Sequence, residues 1–296
     1  MTGANGESSC RCCGLALKVL LLLAVASQSQ AQTQQRTNLA AAYFKRGNER
    51  IITGNLEGAI ADYDAAIIFR PRWAQAYNMR GTARYKKGDL DGSIVDYTKA
   101  IEIDARLALA HYNRGKARRD KGDLDGGLAD YTKAIEINPR LSSAYNNRGN
   151  IKREKGDFDG AISDFDRAIQ LDSGNAAFYN NRGLARREKA DLLHAIADYD
   201  KAIRIDPTFA EAYSNRGNAK QDLGDFDGSI TDYETAIGIN PLFAKAYANR
   251  GLARLFKGDL VGAEKDFDHC LKLEPELKSV LVEQIVRAKQ RLGARL

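Results

Sequence analysis

The stretch from residue 40 to residue 73 returns six more times in this chain without a gap, and that period constrains the fold more than any other property of the sequence. Tyr77-Asn78-Met79-Arg80-Gly81 comes back as Tyr145-Asn146-Asn147-Arg148-Gly149, and again at Tyr179–Gly183, Tyr213–Gly217 and Tyr247–Gly251. Aligned on the glycine, the copies run 40–73, 74–107, 108–141, 142–175, 176–209, 210–243 and 244–277. A period of this size marks an array of stacked units, none of which can bury its apolar face alone. Such an array grows by adding layers, so the length of 296 residues does not imply separate globular domains. It also leaves no room for a distinct catalytic domain.

One unit reads as two short helices. In 142–175, Ala144, Tyr145, Gly149 and Ile151 fall on one face at helical spacing, and Lys155-Gly156-Asp157 ends the run, since glycine supplies the left-handed residue past a helix terminus. Ala161, Ile162, Phe165, Ala168, Ile169 and Leu171 then recur at helical spacing, with Asp157 or Asp159 placed to cap the start. Pro71, Pro139, Pro207, Pro241 and Pro275 mark the turn to the following unit. The expected class is an all-α solenoid of seven helix-turn-helix repeats.

The two ends differ from the array. Arg11 and Lys18 precede the apolar run Val19–Ala26, and small and polar residues follow to Ala31, the pattern of a secretory signal peptide over 1–31. Cleavage after Ala31 or after Ala26 fits, and the apolar run falls well short of the about 20 residues that cross a bilayer. The expected localisation is export, periplasmic or secreted; an uncleaved N-terminal anchor is the alternative. Cys10, Cys12 and Cys13 lie in this leader, and Cys270 stands where other copies carry Ala100, Ala134, Ala168, Ala202 and Ala236, so it reads as a small core residue. Residues 32–39 read as a polar linker. In 278–296, Val280, Leu281, Ile285, Val286 and Leu292 recur with helical spacing, which predicts an amphipathic helix capping the last repeat.

Every copy carries an arginine before its glycine, Arg46, Arg80, Arg114, Arg148, Arg182, Arg216 and Arg250. Each also carries an aspartate at a constant distance downstream, Asp62, Asp96, Asp130, Asp164, Asp198, Asp232 and Asp266. A lone buried charge is costly, so the two should form one structural ion pair per unit, as in Arg80–Asp96, Arg148–Asp164 and Arg182–Asp198.

The spacing of Tyr145, Gly149, Gly156, Ala161, Phe165, Ala168 and the turn proline resembles the tetratricopeptide repeat, whose length is the same, and the resemblance covers 40–277. It implies a right-handed superhelix whose first helices line a concave groove. In that family the seventh position is a leucine; here it is the arginine. The residue before it, Asn113, Asn147, Asn181, Asn215 and Asn249, commonly faces the groove, and one long member of the family holds an extended peptide with an asparagine ladder. An amide can pair with a peptide backbone whatever the side chains are. By the same register Asn78, Tyr112, Asn146, Asn150, Asn180 and Asn218 are further groove candidates. The competing reading is that these asparagines bond to neighbouring helices.

Other chemistries fit less well. The family's chaperone-binding members need a lysine one residue before the ladder, where this chain has Phe44, Asn78, Tyr112, Asn146, Asn180, Ser214 and Ala248. The Gly-Asp-Phe-Asp-Gly turns resemble a calcium loop, but counting from Asp157 the twelfth position is Ala168 and not glutamate. His111, His194 and His269 suggest neither a metal site nor a triad, and no cofactor is implied. The formal charge is +6; removing 1–31 takes out Arg11, Lys18 and Glu7 and leaves +5. Arg118-Arg119, Arg153 and Arg186-Arg187 make a basic line suited to an acidic peptide or an anionic surface, while the tyrosines that nucleic acid would need for stacking hold core positions. The reading is therefore a non-enzymatic interaction scaffold that binds a protein or peptide, with a membrane role only if the leader is retained. A membrane-tethered assembly factor and a regulatory subunit of an enzyme complex are the alternatives. Monomer and homodimer both stay open.

Overall fold

The computed structural model describes the backbone of residues 7–293 and the side chains of residues 25–290. All regular structure among them is helical. Seven helix-turn-helix pairs follow one another: α1 (Glu7–Ile52) with α2 (Leu56–Phe69), α3 (Ala74–Lys86) with α4 (Leu90–Ile103), α5 (Ala108–Asp120) with α6 (Leu124–Ile137), α7 (Ser142–Glu154) with α8 (Phe158–Leu171), α9 (Ala176–Glu188) with α10 (Leu192–Ile205), α11 (Ala210–Asp222) with α12 (Phe226–Ile239), and α13 (Ala244–Phe256) with α14 (Leu260–Leu273). A 3-10 turn at Pro275–Leu277 leads into α15 (Lys278–Gly293). The chain divides into two compact units, Met1–Asp130 and Tyr131–Leu296.

Each hairpin is held by a small residue against a large one. Tyr97 of α4 is buried against Gly81 of α3, where an added Cβ would lie 2.8 Å from the ring. Tyr63, Tyr131, Phe165, Tyr199 and Tyr233 are likewise sealed from solvent in their repeats. Alanines bring the backbones close: Ala100, Ala134, Ala168, Ala202 and Ala236 are buried, and Cys270 takes that place in the last pair. Burial raises the pKa of its thiol. Between the two helices of a repeat the chain reverses through a residue in the left-handed region, such as Gly156 at φ +81°, where glycine carries no Cβ penalty.

The N-terminal segment is more helical than its composition suggests. Residues 32–39, which read as a linker, continue α1 without a break, and the hydroxyls of Thr33 and Thr37 donate to carbonyls one turn back. No glycine or proline stands between Leu15 and Arg46 to stop the helix. Residues 1–6 of the expected leader lie outside the described residues. Among the described residues no helix is long and apolar enough to cross a membrane.

At the other end α15 covers the last hairpin. Leu281 packs with Tyr247, Ala248 and Cys270, while Ala288 packs with Leu252, Leu255 and Ala263; Ile285 touches both groups. A terminal repeat lacks a following neighbour, and this helix supplies the apolar cover in its place.

Candidate functional site: an amide-lined face on the first helices

The buried ion network fixes how the first helices lie on the second. Each repeat arginine meets its aspartate with two hydrogen bonds: Arg80 Nε and Nη2 donate to Asp96 at 2.9 and 2.5 Å, Arg148 to Asp164 at 2.9 and 2.7 Å, and Arg182 to Asp198 at 3.0 and 2.5 Å. Two parallel bonds of this kind set geometry as well as charge. The outer arm reaches the preceding second helix, so that Arg80 binds Asp64, Arg182 binds Asp166 and Arg216 binds Asp200 at 2.5–2.6 Å. In two copies this partner is a hydroxyl, Thr98 for Arg114 and Thr132 for Arg148. Each of these arginines thus ties one repeat to the next. Burial disfavours the charge on Arg80 and Arg182, but the facing carboxylates outweigh it and hold both pKa values above the ordinary range.

A second cation, one helical turn on, completes each site. Arg84, Arg118, Lys152, Arg186, Lys220 and Arg254 reach the same aspartates at 2.8–2.9 Å. The sequence reads Arg118 and Arg186 as part of a basic line; in the structure their guanidinium groups belong to Asp130 and Asp198. Two further members of that line are also neutralised, with Arg153 on Glu188 at 2.6 Å and Arg187 on Asp222 at 2.7 Å. The constant separation between each second cation and its aspartate is the sequence signal for this arrangement.

The asparagines make a second set of bonds between first helices. In the first unit Asn113 Nδ2 donates to Asn78 Oδ1 at 3.1 Å. In the second unit Asn181 donates to Asn146, and Asn215 to Asn180, both at 2.9 Å. Asn249 departs from this pattern because Ser214 stands where an asparagine would be; it reaches Asn218 at 2.9 Å instead. Asn146 Nδ2 also donates to Asn147 Oδ1 at 3.3 Å. The bonds of Asn113, Asn181, Asn215 and Asn249 run from one first helix to the next, so each of these four amides is an inter-repeat clasp.

The candidates therefore divide. Asn180 is only 6% exposed and its oxygen is taken by Asn215, which makes it a positioning residue. Asn113, Asn147, Asn181, Asn215 and Asn249 are half-buried. The clasp uses one of the two Nδ2 hydrogens, and no hydrogen bond among the described residues uses Oδ1 of Asn181, Asn215 or Asn249. At the C-terminal end α15 walls the face. Asn249 lines two hollows there, one of ≈ 150 Å³ with Lys245, Leu281 and Gln284, the other of ≈ 200 Å³ with Arg187, Asn218 and Arg287. Among the described residues no group of histidine, cysteine and carboxylate side chains could hold a metal ion.

Stacked helical hairpins that present one row of side chains define an interaction scaffold, a class whose members typically bind rather than catalyse. Models of the TPR repeat match 81–118, 149–189 and 186–224, and models of the tetratricopeptide repeat match 108–141, 210–243, 130–163 and 244–277. The chain belongs to the tetratricopeptide repeat family. Among solved structures it is similar to MamA, at 30% identity over 56% of this chain and 96% of that one, with a TM-score of 0.50. A tetratricopeptide repeat protein from Parabacteroides merdae matches at 18% identity, over 85% of this chain and 99% of that one, with a TM-score of 0.67. YrrB, described as a TPR protein with an unusual peptide-binding site, matches at 22% identity over 66% and 97%, with a TM-score of 0.51. No curated protein matches the chain.

Proposed function

We propose that this protein is a peptide-binding scaffold that holds an extended segment of a partner on the first-helix face, with Asn181, Asn215 and Asn249 as its backbone contacts. Asn113 and Asn147 hold the same register position in earlier repeats, and Asn147 Oδ1 already accepts from Asn146 Nδ2. The observation that carries this reading is the fixed amide row. Each Nδ2–Oδ1 clasp locks the side chain, and the Oδ1 of Asn181, Asn215 and Asn249 is left to accept from a peptide N–H. Side chains locked before binding lose little entropy on binding. That the same fold carries a peptide-binding site in YrrB supports the reading. The paired state of Arg153 and Arg187 argues for recognition through the partner's backbone and against recognition through its net charge.

We further propose export, supported by the basic start, the short apolar run and the small residues before Gln32. N-terminal sequencing of the mature protein tests it: a start at Ser27 or Gln32 supports cleavage, and a retained Met1 supports the anchor.

Binding is tested by selecting peptides from a displayed random library on the wild type, then measuring the selected sequences on Asn181→Ala/Asn215→Ala. The double variant should weaken binding at least tenfold while circular dichroism shows it folded. Equal affinity for both proteins, or no enrichment on the wild type, sinks the proposal.

A further inference from the structure

One turn breaks the internal symmetry at several places together. Elsewhere a lysine after the first helix pairs across the repeat boundary with a carboxylate of the preceding repeat, as in Lys87–Glu57, Lys121–Asp91, Lys189–Asp159 and Lys257–Asp227. At the step between the fifth and sixth repeats both members are leucine, Leu193 and Leu223. They are 72% and 48% exposed. Single exposed leucines need no explanation. Here both halves of an ion pair have become apolar together.

The same turn departs in its backbone. Ala190 holds φ +64° where the other repeats have glycine, a conformation that strains an L-residue. His194 replaces the glycine that follows each cap. A Cβ at Gly160 would collide with the Asp157 carboxylate, and in the fifth repeat the Asp191 carboxylate instead meets His194 Nδ1 at 2.7 Å. α10 accordingly starts without the side-chain cap found on α8 and α12. Local strain and a forfeited cap at one turn point to selection for something other than stability.

We propose that the turn at 190–194, together with Leu223, is a second docking surface, for a partner segment with aliphatic side chains one helical turn apart flanked by lysine or arginine. The aliphatic groups sit on Leu193 and Leu223. The basic flanks meet Asp191 and Asp225, which neighbour the two leucines along the chain, remain partly exposed and form no ion pair with lysine or arginine among the described residues. The cations of the same turns are each matched by one carboxylate, Arg187 by Asp222, Lys189 by Asp159 and Lys257 by Asp227. The charge left over at this edge is that of Asp191 and Asp225, and it favours a positive partner. This surface lies on the turn edge and does not depend on the amide row.

The test titrates three synthetic helix-forming peptides into the full chain: leucines at i and i+4 with lysine and arginine flanks, the same leucines with glutamate flanks, and serines with the basic flanks. The basic leucine peptide should bind at least tenfold more tightly than either control. Leu193→Asp/Leu223→Lys, which installs the pair used at the other steps, should abolish that preference with unchanged melting, whereas Asn181→Ala/Asn215→Ala should leave it intact. Equal binding of all three peptides, no binding of any, or survival of the preference in Leu193→Asp/Leu223→Lys overturns the proposal. So does a wild type that self-associates through this edge while that variant is monomeric.

Discussion

Removing the carboxylate of Asp198 should cost far more than removing that of Asp166, although both bind Arg182. Asp198 accepts from Arg182 Nε and Nη2 at 3.0 and 2.5 Å and from Arg186 Nη1 at 2.8 Å, and its side chain is 4% exposed. Asp166 meets only the outer arm of Arg182, at 2.5 Å, and is 43% exposed. Asp198→Ala leaves two guanidinium groups without their shared partner. Breaking a buried pair from one side costs about 3–5 kcal/mol, and because the arginines are about one-fifth exposed and can hydrate, about 3 kcal/mol is the expected loss. Asp166→Ala should cost about 1 kcal/mol or less, as exposed pairs do. Adding Arg182→Leu to Asp198→Ala should recover part of the loss, since one stranded charge is removed. Urea unfolding followed by circular dichroism gives the values, and amide exchange should show α9 and α10 opening first. If Asp198→Ala falls within about 1 kcal/mol of the wild type, or matches Asp166→Ala, the buried carboxylate does not organise the repeat.

Further outcomes follow from single sites. The Tyr199 hydroxyl is buried with no hydrogen-bond partner among the described residues, because Leu184 stands where Asn48, Thr82 and Asn218 serve Tyr63, Tyr97 and Tyr233. Tyr199→Phe should therefore be neutral or stabilising, while Tyr233→Phe, which loses bonds to Asn218 and Gln221, should cost about 1 kcal/mol in urea titrations. Ala190→Gly should stabilise by about 1 kcal/mol, read from the melting midpoint, by relieving the positive φ. Burial pushes the Tyr97 hydroxyl up to about 12, so above its ordinary value near 10 the unfolded chain releases this proton while the folded chain keeps it. Stability should fall between about pH 10 and 12, and Tyr97→Phe should flatten that slope in equilibrium unfolding. At the acid end burial works against Asp130 as an anion, but His111, Arg114 and Arg118 outweigh it and depress its pKa; its contribution is full above about pH 4 and should fade as pH drops toward the folded value.

Much of the fold was legible because the repeat states it seven times. The glycine before the cap, the glycine opposite the tyrosine and the constant separation between arginine and aspartate each correspond to one local geometry. The roles of Arg118 and Arg186 were harder to read, since adjacency in sequence suggested a surface line while helical geometry turned those side chains onto Asp130 and Asp198. The asparagine clasps join positions one repeat and one further residue apart, a separation that becomes meaningful only when successive first helices lie side by side. Polar composition at 32–39 suggested a linker, whereas helix continuation depends on breakers, and none is present there. The departures at Ala190, Leu193 and His194 were in plain view, but their meaning rests on the ion pair and the cap that other repeats make at those positions.

The most direct measurement of the central claim is a side-chain amide NMR titration with a library-selected peptide on protein carrying nitrogen-15 in its asparagines. The Nδ2 resonances of Asn181, Asn215 and Asn249 should shift together and saturably, with those of Asn240 and Asn55 unmoved. Shifts confined to residues away from the first helices, or a saturated complex that leaves these three amides unperturbed, would contradict the account and leave the asparagine row as inter-repeat structure alone.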